Sequence, residues 1–250
     1  MDRRIMQMRD LFAMRAHFGW AHVLLSRART LTGSNALGRA IDRLLDRMEQ
    51  RTHRHSARFD QEHATETFRR LDVRVSADPN DTMVWGYSAV NQDFFAEILR
   101  SIPEPLAPYS FVDVGSGMGA AVFFASAFAF KKLVGVELTA ELVDIAKRNT
   151  VLFNRKTGRG ISPEWVHCDF FKWEIAHEPQ LFFFNNPFPE SITVAAVQVL
   201  EASLTAHPRP ALLVFRKAPR TTGDYLHRSS FWKPLRLAPY WRVYAAAGNV

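Results

Sequence analysis

The chain has 250 residues, 47% of them hydrophobic and 20 of them Phe, enough for one domain with an appendage or for two small ones. Its single cysteine, Cys168, excludes an internal disulfide framework and a multi-cysteine zinc site, and no apolar run approaches the ~18 residues of a membrane-spanning helix. The net charge of +7 is uneven, with 12 Arg against 6 acids in residues 1–60 and near balance in the remainder.

From Ile5 to Leu31 apolar residues mix with arginines, as in one or two basic amphipathic helices. Arg9, Arg15 and His17 interrupt the apolar part, so a secretory leader is not expected and a cytoplasmic protein is. After the break at Thr32-Gly33-Ser34-Asn35, apolar residues from Ala36 to Met48 recur at i, i+3, i+4, i+7, which predicts an amphipathic helix to about Gln50. Arg39, Arg43, Arg47 and Arg51 lie on its other side, read as a salt-bridged solvent face. Residues 1–75 are thus expected to form a basic helical arm. Such an arm fits anionic partners, nucleic acid or an anionic membrane surface among them. His53, His55 and His63 lack metal-ligand spacing and read as surface histidines, and no metal is expected.

Residues 58–91 are polar and irregular, with a turn signal at Asp78-Pro79-Asn80-Asp81. Gly86-Tyr87-Ser88 then precedes a helix expected over Val90–Ile102. That corner offers donors suited to a ligand carboxylate, or serves as a plain N-cap through Ser88 or Asn91.

From Tyr109 the pattern changes to strands alternating with helices, which predicts an α/β domain over residues 80–250. Tyr109–Val114 reads as a buried strand, Gly115-Ser116-Gly117-Met118-Gly119 as a tight turn, and Ala120–Phe130 as a helix. Glycine suits such a turn because the backbone takes positive φ and approaches a ligand closely. Lys132–Glu137 is the next strand, followed by a helix capped at Thr139 whose inner face carries Leu142, Ile145, Ala146 and Asn149. Glu137, 24 residues after Asp113, stands where a carboxylate accepts from two ribose hydroxyls. A third strand runs from Ser162 into Asp169. There an acid can accept from an adenine amine beside Phe170 or Phe171, or merely cap the following turn. The fourth strand enters Asn185-Asn186-Pro187-Phe188, where Pro187 stiffens the turn. A helix over Glu190–Ala206, a strand over Ala211–Lys217 and a tail with a final edge strand near Trp241–Tyr244 complete the alternation. The fold expected is a Rossmann-like, mostly parallel sheet with helices on both faces, plus the N-terminal helical arm.

The glycine pattern also satisfies G-x-G-x-x-G/A, so an NAD-linked oxidoreductase is an alternative, although no Tyr-x-x-x-Lys or His–acid pair accompanies it. A non-catalytic cofactor-binding module acting through the arm is another. Taken jointly, Asp113-Val-Gly-Ser-Gly-Met-Gly, Gly135-Val-Glu137, Cys168-Asp169 and Asn185-Asn186-Pro187-Phe188 make residues 80–250 resemble the class I S-adenosylmethionine-dependent methyltransferases. The likeness is greatest to a little-characterised bacterial group, and more distant to the non-SET histone-lysine methyltransferases.

The resemblance implies S-adenosylmethionine as cofactor. Gly115, Ser116, Gly117 and Gly119 would line its methionine part and Asp113 would orient its amino group. Glu137 would take the ribose, Asp169 the adenine, and Tyr87 and Ser88 the carboxylate. The turn is similar to the Asn/Asp-Pro-Pro-Tyr turn of amino-group methyltransferases, in which a side-chain amide and a backbone carbonyl accept from the target amine. Asn185 or Asn186 would then face a nitrogen acceptor, with Pro187 and Phe188 shaping the site. Arg216 and Lys217, ending the fifth strand, are expected near an anionic part of the substrate.

Overall fold

The computed structural model describes residues 36–68, 72–74, 84–86, 89–216, 218–238 and 240–247, with Ala28 alone before them. The first helix, α1 (Ala36–His63), runs well past the predicted end near Gln50. Its apolar stripe is only partly covered, since Ile41 and Phe59 are buried while Leu37 and Leu44 are exposed. Phe59 packs edge-on against Phe124, and the His63 ring stacks on Phe59 and on Phe153. His63 is therefore a half-buried packing residue, where a surface histidine was expected.

The stretch read as irregular contains a short antiparallel pair, β1 (Asp72–Arg74) with β2 (Val84–Gly86). Helix α2 (Gln92–Ser101) follows and is capped by Asn91, whose side chain accepts from the Phe94 N–H at 3.0 Å. That decides the capping residue. Tyr87, Ser88 and Lys217 lie outside the described residues, as do residues 1–27 of the arm.

Seven strands form the main sheet: β3 (Ser110–Val114), β4 (Lys132–Glu137), β5 (Glu164–His167), β6 (Gln180–Asn185), β7 (Ala211–Arg216), β8 (Trp232–Leu237) and β9 (Trp241–Ala246). Their order is β5-β4-β3-β6-β7-β9-β8, with β5, β4, β3, β6 and β7 mutually parallel and β9 antiparallel to both β7 and β8. The tail strand at Trp241 is thus interior, not the edge expected. The edge is β8, and the tail also holds helix α6 (Arg220–Arg228). Central burial explains why β3, β6 and β7 read as unbroken apolar runs instead of alternating ones.

Helices cover both faces. On one, α2, α3 (Ala120–Ala125) and the end of α1 pack over Phe111, Leu181, Phe183, Leu212 and Val214. On the other, α5 (Glu190–Ala206) and α6 pack over Val112, Phe182, Phe184, Leu213 and Phe215. Helix α4 (Ala140–Thr157) leads from β4 to β5 and ends in a left-handed Gly158. Helix α3 stops at Ala125, five residues before the predicted Phe130.

Sequence β3 to β4 to β5 builds the sheet outward on one side, and the chain then returns to place β6 on the other side of β3. The helices that follow β3 and β6 therefore lie on opposite faces of the sheet, and ligands of open α/β sheets sit at such a switch point, beyond the carboxyl ends of the strands.

Candidate functional site

Three glycines shape the loop after β3, with φ of 73° at Gly115, 54° at Gly117 and 93° at Gly119, a region that residues with a Cβ rarely occupy. Two of them also make room for other parts of the chain. A Cβ on Gly115 would lie 2.6 Å from Cβ of Pro187, so the turn after β6 rests directly on this loop. A Cβ on Gly119, or on Gly135 in β4, would run into the Trp165 indole from β5. Gly119 thus serves close packing of loop on sheet, in addition to whatever it lends a ligand. The N–H groups of Gly115 and Ser116 both donate to the Val136 carbonyl, which anchors the loop start to β4.

Parallel register brings the acids together. Asp113 pairs with Gly135, so Glu137 stands two residues further along the adjacent strand. Asp113 is 3% exposed and Glu137 is 8% exposed. Their surroundings differ. Glu137 accepts from the Gly117 N–H through Oε2 and from the Thr139 N–H through Oε1, both at 2.9 Å. No described residue donates a hydrogen bond to Asp113. Desolvation by burial, and secondarily the Glu137 charge, push the Asp113 carboxyl up to about 8. Thr139 heads α4 by position, but its side chain makes no cap bond and its N–H serves Glu137.

Across β3, the register sets Asn185 opposite Arg216. Arg216 Nη1 donates to Asn185 Oδ1 at 2.8 Å, and its guanidinium lies over the Phe94 ring of α2, 5.8 Å from the centroid. Arg216 is buried, and desolvation lowers it to about 10. The cation expected to meet an anionic substrate is instead a buried support for Asn185. Asn186 is exposed, with φ of 56°, a left-handed conformation that Asn tolerates better than most residues.

Asp169 caps the 3₁₀ turn Phe170–Lys172 through Oδ1 and the Phe171 N–H, at 3.0 Å. The capping reading therefore holds for one of its oxygens. Phe171 is 41% exposed, and half-buried Phe188 sits with its ring 5.9 Å from Phe171 and 5.7 Å from buried Phe170. The structure thus joins the glycine loop to Glu137, Asp113 and Pro187, and brings Phe188 to the aromatics that follow Asp169.

Three contacts escaped the sequence reading. Trp165 is a large ring that two glycines accommodate, and a glycine inside strand β4 was its signal. Asn149, on the apolar face of α4, donates to the Met118 carbonyl in the glycine loop and accepts from the Glu66 N–H, joining loop to arm. A polar residue on a buried stripe was the clue there. The Arg216–Asn185 bond is a cross-strand contact without local signature. Among the described residues no group of three His, Cys, Asp or Glu is placed to hold a metal, and no helix is long and apolar enough to cross a membrane.

The sheet is Rossmann-like and mostly parallel, with one reversed strand, β9, inserted beside its last parallel strand. Residues 82–186, from just ahead of β2 to the turn after β6, match the sequence model of the family described as Histone methylation protein DOT1. No curated protein matches the chain.

Solved structures do. One is a predicted N6-adenine-specific DNA methylase from Listeria monocytogenes, 13% identical, with a TM-score of 0.49 over 64% of this chain and 52% of that one. Another is an RNA methyltransferase from Salinibacter ruber in complex with S-adenosyl-L-homocysteine, 19% identical, TM-score 0.40, covering 62% and 88%. A third is a magnesium protoporphyrin IX methyltransferase from Synechocystis with bound S-adenosyl-L-homocysteine, 16% identical, TM-score 0.41, covering 61% and 78%. The chain spans about half the length of the first of these.

Proposed function

We propose that the protein is an S-adenosylmethionine-dependent methyltransferase acting on a nitrogen acceptor, in a protein side chain or a small molecule. The observation that carries this reading is the pair of buried carboxylates, Asp113 and Glu137, flanking a glycine loop at the sheet's switch point, with the Asn185–Phe188 turn seated on that loop. A site in which, among the described residues, one carboxylate has two donors and the other none suits a ligand that carries both hydroxyls and a cationic amine. The family match, which ends on Asn186, supports the same reading.

When bound, S-adenosylmethionine supplies a methyl group activated on a sulfonium. The chain's own part is to bind and to align. Glu137 uses its remaining lone pairs on the ribose hydroxyls, and Asp113 takes the ammonium. Asp169 would offer its second oxygen to the adenine amine, with Phe171 available to the ring, and Tyr87 and Ser88 would serve the carboxylate end. Asn185, its amide pinned by Arg216, and the Asn186 carbonyl accept from the target amine while Phe188 lies against it. In-line displacement depends chiefly on that alignment, and a misplacement of ~1 Å costs on the order of a hundredfold. Residues 1–75 form a basic arm on the catalytic domain of residues 80–250, suited to an anionic partner, and the protein is cytoplasmic.

The reversed strand β9 speaks against an NAD-linked oxidoreductase, whose dinucleotide sheet has the order 3-2-1-4-5-6 with no such insertion. Calorimetry with S-adenosylhomocysteine and with NAD tests the cofactor, and binding of NAD alone would overturn the proposal. Tritiated methyl transfer into fractionated cell extract, scored for protein, nucleic acid and small-molecule products, tests the acceptor. Asn185→Ala is expected to lower that transfer by about a hundredfold with cofactor affinity kept. Full activity in both Asn185→Ala and Asn186→Ala would remove the turn from the mechanism.

A further inference from the structure

We infer that the Asp113–Glu137 pair holds one proton in the free protein, on Asp113, and releases it to solvent when a ligand ammonium docks there. The inference rests on the cofactor reading above.

The geometry distinguishes the two acids. Both are nearly sealed from water, at 3% and 8% exposure, on neighbouring strands that meet in register. Backbone N–H groups of Gly117 and Thr139 donate to both Glu137 oxygens. Asp113 receives no donor from the described residues and faces the Glu137 charge. A buried carboxyl without donors, beside a second acid, is disfavoured in its charged form, so the proton is assigned to Asp113.

Among the described residues the remaining surroundings offer no compensation. Strand β6 sets Phe183 beside Asp113, and the buried side of α2 is Phe94, Phe95, Ile98 and Leu99. Helix α3 and the glycine loop contain no ionisable residue. On β7, beyond β6, the Arg216 cation is turned to Asn185. Burial and the Glu137 charge raise the Asp113 carboxyl in accord with this. A ligand ammonium supplies both the missing donors and the missing charge. The exchange balances: carboxylic acid plus ammonium gives a carboxylate–ammonium pair, with one proton passing to buffer.

The test is calorimetry of the full chain with S-adenosylhomocysteine at pH 7, in buffers of differing ionisation enthalpy. The observed heat is expected to vary with the buffer by close to one proton released. Affinity is expected to fall about tenfold per unit as pH drops from 8 towards 6. 5′-Methylthioadenosine, which keeps the nucleoside and lacks the amino acid, is expected to bind with no proton release, and Asp113→Asn to bind S-adenosylhomocysteine without pH dependence over the same range. Tight binding with no proton exchange would overturn the inference and leave the cofactor reading intact. Equal release with 5′-methylthioadenosine would overturn the ammonium's part in it. Failure of S-adenosylhomocysteine to bind at all would overturn both. The wild-type measurement stands alone should Asp113→Asn fail to fold.

Discussion

Gly119 and Arg216 show how single residues here answer to neighbours far away in sequence. Gly119 combines a φ of 93° with an indole where its Cβ would be, so Gly119→Ala carries both backbone strain and overpacking. The expected loss is about 2–4 kcal/mol in denaturant unfolding, and shrinking the ring in a Trp165→Leu, Gly119→Ala double variant is expected to recover part of it. A loss unchanged in the double variant would locate the whole cost in the backbone. Arg216 is a buried cation bonded to a neutral amide, an arrangement that stabilises the fold weakly after its desolvation cost. Arg216→Met is accordingly expected to leave the melting temperature within a few degrees, keep S-adenosylhomocysteine affinity, and lower methyl transfer by removing one of the contacts that hold the Asn185 amide. A matching loss of cofactor affinity would place Arg216 in the cofactor site instead.

At the scale of elements, the joint between α1 and the sheet domain depends on one acid. Asp60 accepts through Oδ1 from the Thr65 hydroxyl and from the Thr67 N–H and hydroxyl, and through Oδ2 from the Phe68 N–H. These bonds close the chain into a tight turn after α1, while Asn149 links the adjoining Glu66 N–H to the glycine loop. Removing a charged acceptor with several donors costs about 2–4 kcal/mol. Asp60→Ala is expected to lose that much and, by native-state amide exchange, to open residues 59–68 while strands β3, β6 and β7 stay protected. Uniform loss of protection across the sheet would mean that this joint and the sheet unfold as one unit. The glycine loop, tied to this joint by Asn149, gains rigidity from an element outside the sheet.

For the whole molecule, the carboxyl pair makes stability depend on pH in a stated direction. The native protein raises Asp113 from 3.8 to about 8, so between those values the native state binds more protons than the unfolded chain. Stability contributed by this group is therefore present at acid pH and declines as pH rises from about 4 to about 8. Thermal unfolding of the free protein is expected to show that decline, and Asp113→Asn to flatten it and raise the melting temperature near pH 7.5. The opposite slope in wild type with no change in the variant would refute the assignment of the proton to Asp113. Net charge enters separately: residues 1–60 hold 12 Arg against 6 acids, while the remaining residues are nearly balanced.

The strand, tight glycine turn, acids at strand ends and most helix starts were determined by the sequence alone, because each rests on local backbone requirements or on the apolar run that a doubly covered strand needs. Asp113, Glu137 and the Asn185–Phe188 turn were legible for that reason, as chemistry attached to predictable strand ends. Local pattern was also what misled: α1 continues to His63 because Phe59 finds Phe124 and Phe153 to pack on, a reason invisible in a polar stretch. Only the tertiary structure decided that β9 enters between β7 and β8, that Trp165 occupies the space two glycines leave, that Arg216 bonds Asn185, and that among the described residues Glu137 has donors where Asp113 has none. Those outcomes depend on which distant segments share a register and a buried volume, and neither periodicity nor residue type encodes the partner.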